Sequence, residues 1–359
     1  MLSSVVGNQN ILILSNGEFG ERLHAISQIH NESTSLLQFP WGDSIDLEIV
    51  NTYLQSHRVD FIALVHHETS SGMLNPLAAI GALARANGAV LLVDCVSSVG
   101  AESIDMERDN IAFCSGSSSK AIGSYPGLSF VIGKTDEFEN LRTLPAKSAY
   151  LNLYRFFEFA TGRSQTPNTP AVPLFFALDQ ALANILIEGV PQRRAKILRT
   201  ATTLREEMKE LGLSFLLKSE DMSSVLTTAF VPPYVDIDLF RQRLREKSII
   251  IYEGKGPLKG RVFQVGNIGE LSETDVAQFS AVLRDTLDVF HAVEIITTTI
   301  LPHSVIDPGV LPSLALDPIF ATSGVLNTTG GLFRTGDGEQ LMAIPIDLDP
   351  LISEVTESV

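Results

Sequence analysis

Five short runs before residue 133 are apolar on both faces: Ile11–Leu14, Phe61–Val65, Ala89–Val93, Ile111–Phe113 and Leu128–Ile132. No other feature constrains the fold as much. Helical patterns over Gly17–Ile29 and Leu77–Ala86 lie between them. Strands buried on both faces and separated by helices predict a mostly parallel sheet with flanking helices, an α/β architecture. Such sheets bind ligands at the carboxyl ends of their strands. Ser15-Asn16-Gly17, His66–Thr69, Asp94 and Ser115–Lys120 all fall at strand ends, so four polar segments are expected to converge on one edge.

Lys120 is the residue there with the most chemical content. It follows Ser115-Gly116-Ser117-Ser118-Ser119, a run of small polar residues, while Asp94 ends the apolar run Ala89–Val93. A loop lysine and a strand-end aspartate suit pyridoxal phosphate, which needs an amine for its aldehyde and a carboxylate for its pyridine nitrogen. Ser117, Ser118 and Ser119 offer donors to the phosphate dianion. His66 and His67 are adjacent on a strand end, so their side chains point apart and do not suit one metal ion. For His67, a pocket-lining role and a structural one are both open.

Beyond Val190 the pattern changes. A helix over Pro191–Leu211 leads to strands at Leu213–Leu217 and Val225–Val231. A helix over Asp236–Lys247, strands at Ile249–Tyr252 and Val262–Val265, and a helix over Thr274–Val289 follow. This predicts a smaller C-terminal α+β domain, giving a large domain over 1–187, a small one over 188–290 and a tail over 291–359. The tail holds one arginine against nine acids, and six of the 17 prolines, with weak periodicity. It reads as an irregular acidic tail.

Charge narrows the partners. A formal net charge of -16 argues against nucleic acid and against a polybasic membrane surface. No run approaches a membrane span, and the first residues lack a basic, apolar leader pattern. Cys95 and Cys114, the two cysteines, sit in apolar strand contexts and read as buried thiols in a reducing, cytoplasmic compartment.

From Ile11 to Val289 the chain resembles the class V aminotransferases, within the fold-type I pyridoxal-phosphate enzymes. The resemblance rests on Ser15-Asn16-Gly17-Glu18-Phe19-Gly20, His67-Glu68-Thr69-Ser70-Ser71-Gly72-Met73-Leu74-Asn75-Pro76 and Val93-Asp94-Cys95-Val96-Ser97-Ser98-Val99-Gly100. The Lys120 loop, Tyr252-Glu253-Gly254-Lys255 and Gly266-Asn267-Ile268-Gly269-Glu270 complete it. The branch acting on 2-aminoethylphosphonate and pyruvate is nearest. The resemblance implies a transaminase acting on an amine and a 2-oxo acid. Lys120 is its catalytic amine, Asp94 the partner of the ring nitrogen, Phe19 a ring stacked on the cofactor, and Thr69 a contact to the phenolic oxygen. Ser117 and Ser119 would meet the phosphate. Thr166 and Thr169, in Thr166-Pro167-Asn168-Thr169-Pro170, match a loop that reaches the neighbouring subunit's phosphate, which implies a homodimer.

Two departures set further expectations. Ten residues precede Ile11, and none supplies the glycine- and serine-rich phosphate turn that the family carries before this point, so the N-terminal segment is expected to be missing. Gln264 also stands where the family places an arginine for the substrate carboxylate, and a neutral amide cannot replace a guanidinium fork. Arg261, three positions earlier on the strand, is expected to point away. A degenerate paralogue without transaminase activity, or a lyase or epimerase on the same scaffold, stays open beside the transaminase.

Overall fold

The structure is a computed structural model that describes residues 1–295, all within one compact unit. The expected tail therefore lies outside the described residues, apart from 291–295 at its start. The main sheet contains β1 (Ile11–Ser15), β2 (Thr34–Gln38), β3 (Phe61–Val65), β6 (Val90–Asp94), β7 (Ile111–Ser117) and β8 (Ser129–Gly133), in the order β2-β1-β3-β6-β7-β8. All neighbours are parallel except β7 and β8, which run antiparallel. Between β3 and β6, β4 (His67–Glu68) and β5 (Met73–Leu74) form a short antiparallel pair.

The alternation of side chains along β1 shows why the sheet needs cover on both faces. Leu12 and Leu14 enter one cluster with Val50, Leu54, Ile62, Leu64 and Ile80. Ile11 and Ile13 enter another with Leu23, Leu92 and Phe113. Each such fully buried aliphatic side chain contributes about 1.5–3 kcal/mol. The covering helices are α1 (Leu2–Val5), α2 (Glu18–His30), α3 (Leu47–Ser56), α4 (Leu77–Ala86), α5 (Thr135–Asn140) and α6 (Leu153–Arg163). β2 and α3 were not expected from the sequence. The β2 strand lies at the sheet edge and is only half-buried, which removes its apolar signal. The α3 helix is fixed by Asp46, whose Oδ1 accepts from the Glu48 (2.8 Å) and Ile49 (3.2 Å) N–H groups.

Helices α7 (Val172–Glu188) and α8 (Val190–Glu210) meet at Gly189 with a bend of 87°. Gly189 has φ +87, and Pro191 follows in the first turn of α8, so the elbow uses the two residues best suited to it. A second, antiparallel sheet follows, ordered β10-β11-β9, from β9 (Leu226–Phe230), β10 (Tyr252–Glu253) and β11 (Val262–Gly266). With α8, α9 (Ile237–Glu246) and α10 (Glu273–Ile295) it buries Leu204, Met208, Phe240, Phe263 and Leu283. The expected strand at Leu213–Leu217 is absent. That segment makes only an isolated bridge, Phe215 to Ala229, with the Leu216 N–H donating to the Thr228 carbonyl at 3.0 Å and the Phe230 N–H to the Ser214 carbonyl at 2.9 Å. Among the described residues no single helix is long and apolar enough to cross a membrane.

Candidate functional site

Strand register brings the polar strand ends to one level. Val65 pairs with Asp94, and Asp94 with Ser115, so β3 and β6 finish together beside Ser115 of β7, with β1 next to β3. The expected convergence of Ser15–Gly17, His66–Thr69, Asp94 and Ser115–Lys120 on one edge is what the sheet delivers.

Asp94 is half-buried at the end of β6, where its Oδ1 accepts from the Val96 N–H at 2.9 Å. Burial raises its pKa above the usual carboxylate range, opposed by that hydrogen bond and by the Arg22 charge. A carboxylate with a raised pKa gains from a cationic partner.

Lys120 lies on the connection between β7 and β8. Ser118, fully buried, anchors that turn by donating from Oγ to the Tyr125 (2.6 Å) and Leu128 (3.2 Å) carbonyls. Just after the lysine, the Arg193 guanidinium of α8 donates to the Ala121 carbonyl at 2.7 Å. Arg193 also pairs with Glu188 at 2.9 Å, and Lys196 with both Glu188 and Glu270. Lys120 itself is half-buried, and among the described residues no hydrogen bond or ion pair holds its amine. Ser117 and Ser119 place their hydroxyls 3.2 Å apart beside it.

His67 is 2% exposed, and its Nδ1 lies 3.1 Å from the Ser97 carbonyl. A carbonyl only accepts, so Nδ1 carries the proton and donates, leaving Nε2 as a buried lone pair without a partner. Burial lowers the His67 pKa to about 4. The Ser97 bond opposes this, and the Lys120 and Arg205 charges add to it.

The end of α2 is held by an acid that sequence reading passed over. Glu68 is 0% exposed, and its carboxylate accepts from the N–H groups of Gly20 (3.0 Å), Ser70 (3.2 Å) and Phe19 (3.3 Å) and from Ser70 Oγ (2.5 Å). Ser70 Oγ in turn accepts from the Glu18 N–H at 3.0 Å. The first turn of α2 thus finds its missing acceptors in a neighbouring strand end. Gly17 leaves room for this: a Cβ there would lie 2.4 Å from Glu68 Cγ. Phe19 carries the Arg22 guanidinium 5.0 Å and the Lys255 ammonium 5.8 Å from its ring centroid. The three-residue spacing from Phe19 was the available signal for Arg22; none pointed to Arg193.

Two groups of expected residues lie differently. Thr69 and Gln264 meet: the Gln264 Nε2 donates to the Thr69 carbonyl at 2.9 Å. Arg261, expected on the strand, is exposed in the turn just before β11. Thr166 and Thr169 are exposed on the loop between α6 and α7, where Thr166 Oγ1 donates to the Asn168 carbonyl at 2.7 Å. Among the described residues no hydrogen bond joins that loop to the Lys120 turn. Cys95 and Cys114 are free and buried, Cys95 directly after β6 and Cys114 within β7.

A lysine amine without a partner among the described residues, a half-buried strand-end acid and an aromatic helix start, gathered at the carboxyl edge of this sheet, are what an aminotransferase-type α/β enzyme presents. Residues 8–259 match the model of the aminotransferase class-V family, and the chain belongs to that family. It is 32% identical over 280 residues to a 2-aminoethylphosphonate–pyruvate transaminase of Phocaeicola vulgatus, covering 77% of each chain. An uncharacterised aminotransferase of Methanocaldococcus jannaschii is 30% identical over 269 residues, or 74% of this chain and 70% of that one. Among solved structures, the alanine–glyoxylate aminotransferase of Nostoc sp. superposes with a TM-score of 0.75 at 30% identity, covering 80% of this chain and 77% of that one.

Proposed function

We propose that this aminotransferase moves an amino group from 2-aminoethylphosphonate, or a related amine or amino acid, to a 2-oxo acid such as pyruvate, using pyridoxal phosphate. The observation that carries the reading is the pairing of Asp94 with Ser115, which sets the end of β6 beside the strand that leads into the Lys120 turn. Residues here fit that cofactor: a desolvated acid in want of a cation, an unengaged amine, and the buried Nε2 of His67 without a donor. When bound, it supplies an electron sink for the substrate's Cα–H bond, strongest with its ring nitrogen protonated.

The chain's own residues have separate tasks. Asp94 would hold the proton on the ring nitrogen, and Phe19 would stack on the ring. Thr69 would meet the phenolic oxygen, while the paired hydroxyls of Ser117 and Ser119 would take phosphate oxygens. Lys120 would bind the cofactor aldehyde and carry the substrate proton on Nζ, because among the described residues no acid pairs with that amine. His67 would line the substrate side.

In the same reading the enzyme is a cytoplasmic homodimer, with Thr166 and Thr169 serving the neighbouring subunit's phosphate. Residues 1–187 form the cofactor domain and 188–290 the smaller domain. The test is a titration of the purified chain with pyridoxal phosphate beside Lys120→Ala. The expected result is a visible absorbance band and a borohydride-trapped adduct on Lys120, both lost in the variant. Absence of both in the unmodified chain sinks the reading.

A further inference from the structure

We infer that Gln264 is a positioning residue for the cofactor side of the site and not the ligand of the substrate's acid group. The inference rests on the cofactor reading above. Gln264 is 9% exposed on β11, and its Nε2 is already spent. It donates to the Thr69 carbonyl at 2.9 Å, with the Ser70 carbonyl at 3.4 Å and Thr228 Oγ1 at 3.2 Å. An amide nitrogen has two donors, and three acceptors surround this one. Nothing is left on it for a carboxylate or phosphonate.

The strut continues beyond Thr69. Ser70 donates from both N–H and Oγ to Glu68 Oε1, and the Glu68 carboxylate accepts the Phe19 and Gly20 N–H groups. A buried chain of polar contacts therefore runs from β11 in the second sheet to the first turn of α2. Thr69 and Phe19, two side chains assigned to the cofactor, ride on its backbone. The loop also presses against β9. A Cβ on Gly72, which has φ +85, would lie 3.0 Å from Thr228 Oγ1, and the Ser223 N–H donates to the Gly72 carbonyl at 3.1 Å. Position 264 thus does structural work between two sheets, and the substrate's acid group must be met elsewhere.

The test compares the unmodified chain with Gln264→Met, which keeps length and removes the donors, and with Thr228→Val, which removes one of the three acceptors. Pyridoxal phosphate affinity is read by titration, KM for pyruvate at saturating cofactor, and amide exchange by mass spectrometry with and without cofactor. In Gln264→Met the cofactor Kd should rise about tenfold, in keeping with the loss of a buried hydrogen bond. KM should stay within about twofold, since no substrate contact is removed. Exchange over Phe19–Gly20 and at Ser70 should quicken in both states, with a smaller change of the same sign in Thr228→Val. A KM that rises about tenfold with Kd and exchange unchanged makes Gln264 a substrate ligand and overturns the inference, as does no change in any of the three. If the unmodified chain takes up no cofactor, the cofactor reading fails, and the exchange at Phe19–Gly20 without cofactor still decides the strut.

Discussion

Replacing Glu68 by alanine should cost this fold about 2–4 kcal/mol, far more than a surface acid. The carboxylate serves three backbone N–H groups and one hydroxyl. Gly20 and Ser70 are buried, so their N–H groups would lose an acceptor without access to solvent, at about 1–3 kcal/mol each. Phe19 is half-buried and can turn to water, so it adds less. Against this stands relief from a desolvated acid: burial raises the Glu68 pKa and outweighs the four donors. The relief trims the sum to the range given. Urea unfolding suits the question, with Trp41, the single tryptophan, as a fluorescent reporter. Its Nε1 donates to Glu21 of α2 at 2.8 Å, so it senses the helix concerned. An alanine variant within about 0.5 kcal/mol of the unmodified chain would refute the view that this acid organises the helix start.

Two further predictions follow from buried charge. His67, with a folded pKa of about 4 against an ordinary 6.5, stabilises the fold fully above the unfolded value, and that stability is lost as pH falls through the folded value. The Lys120 and Arg205 charges add to the burial in disfavouring a charged His67 ring. The His67 contribution to unfolding free energy should therefore drop between about pH 6.5 and 4 by up to about 1.4 kcal/mol per pH unit; His66, lowered to about 3, adds a second such slope, so His67→Asn should make the decline shallower without abolishing it in urea titrations at stepped pH. Arg193→Ala should free the Ala121 carbonyl and strip Glu188 of its closer partner. The expected loss is about 1–2 kcal/mol, with faster amide exchange over the Lys120 turn; unchanged exchange there would remove Arg193 from any role in fixing the lysine.

The sequence carried the parallel core and the edge where chemistry gathers. Phe61–Val65 and Leu77–Ala86 fall where the apolar pattern put them, because burial on both strand faces or on one helix stripe leaves a strong period. Thr34–Gln38 escaped because an edge strand needs little apolar surface. The Asp46 cap before Leu47 and the stripe of Leu47, Val50 and Leu54 were usable signals for α3. The apolar run of β7 stops at Cys114, while the strand continues to Ser117 through pairing with β8, a partner that no local pattern names. Residue types in the site were legible one at a time. What each one bonds was not: the hold of Gln264 on Thr69 spans 195 positions and depends on how two sheets meet.

The antiparallel β8 has one more consequence. The strand ends carrying Asp94 and the His67–Thr69 segment are separated by long crossovers, whereas Lys120 sits on a hairpin between Ser117 and Ser129, a cross-strand pair. Closing so short a loop costs little chain entropy, so this pairing is among the most local in the sheet. In the proposed reading the Lys120 amine is then set in place by neighbours in sequence, and Asp94 and Phe19 arrive as the crossovers close around it. Insertions in 118–128 should harm the site more than insertions of equal length in the crossover loops, since only the hairpin translates its own length directly into the position of the amine.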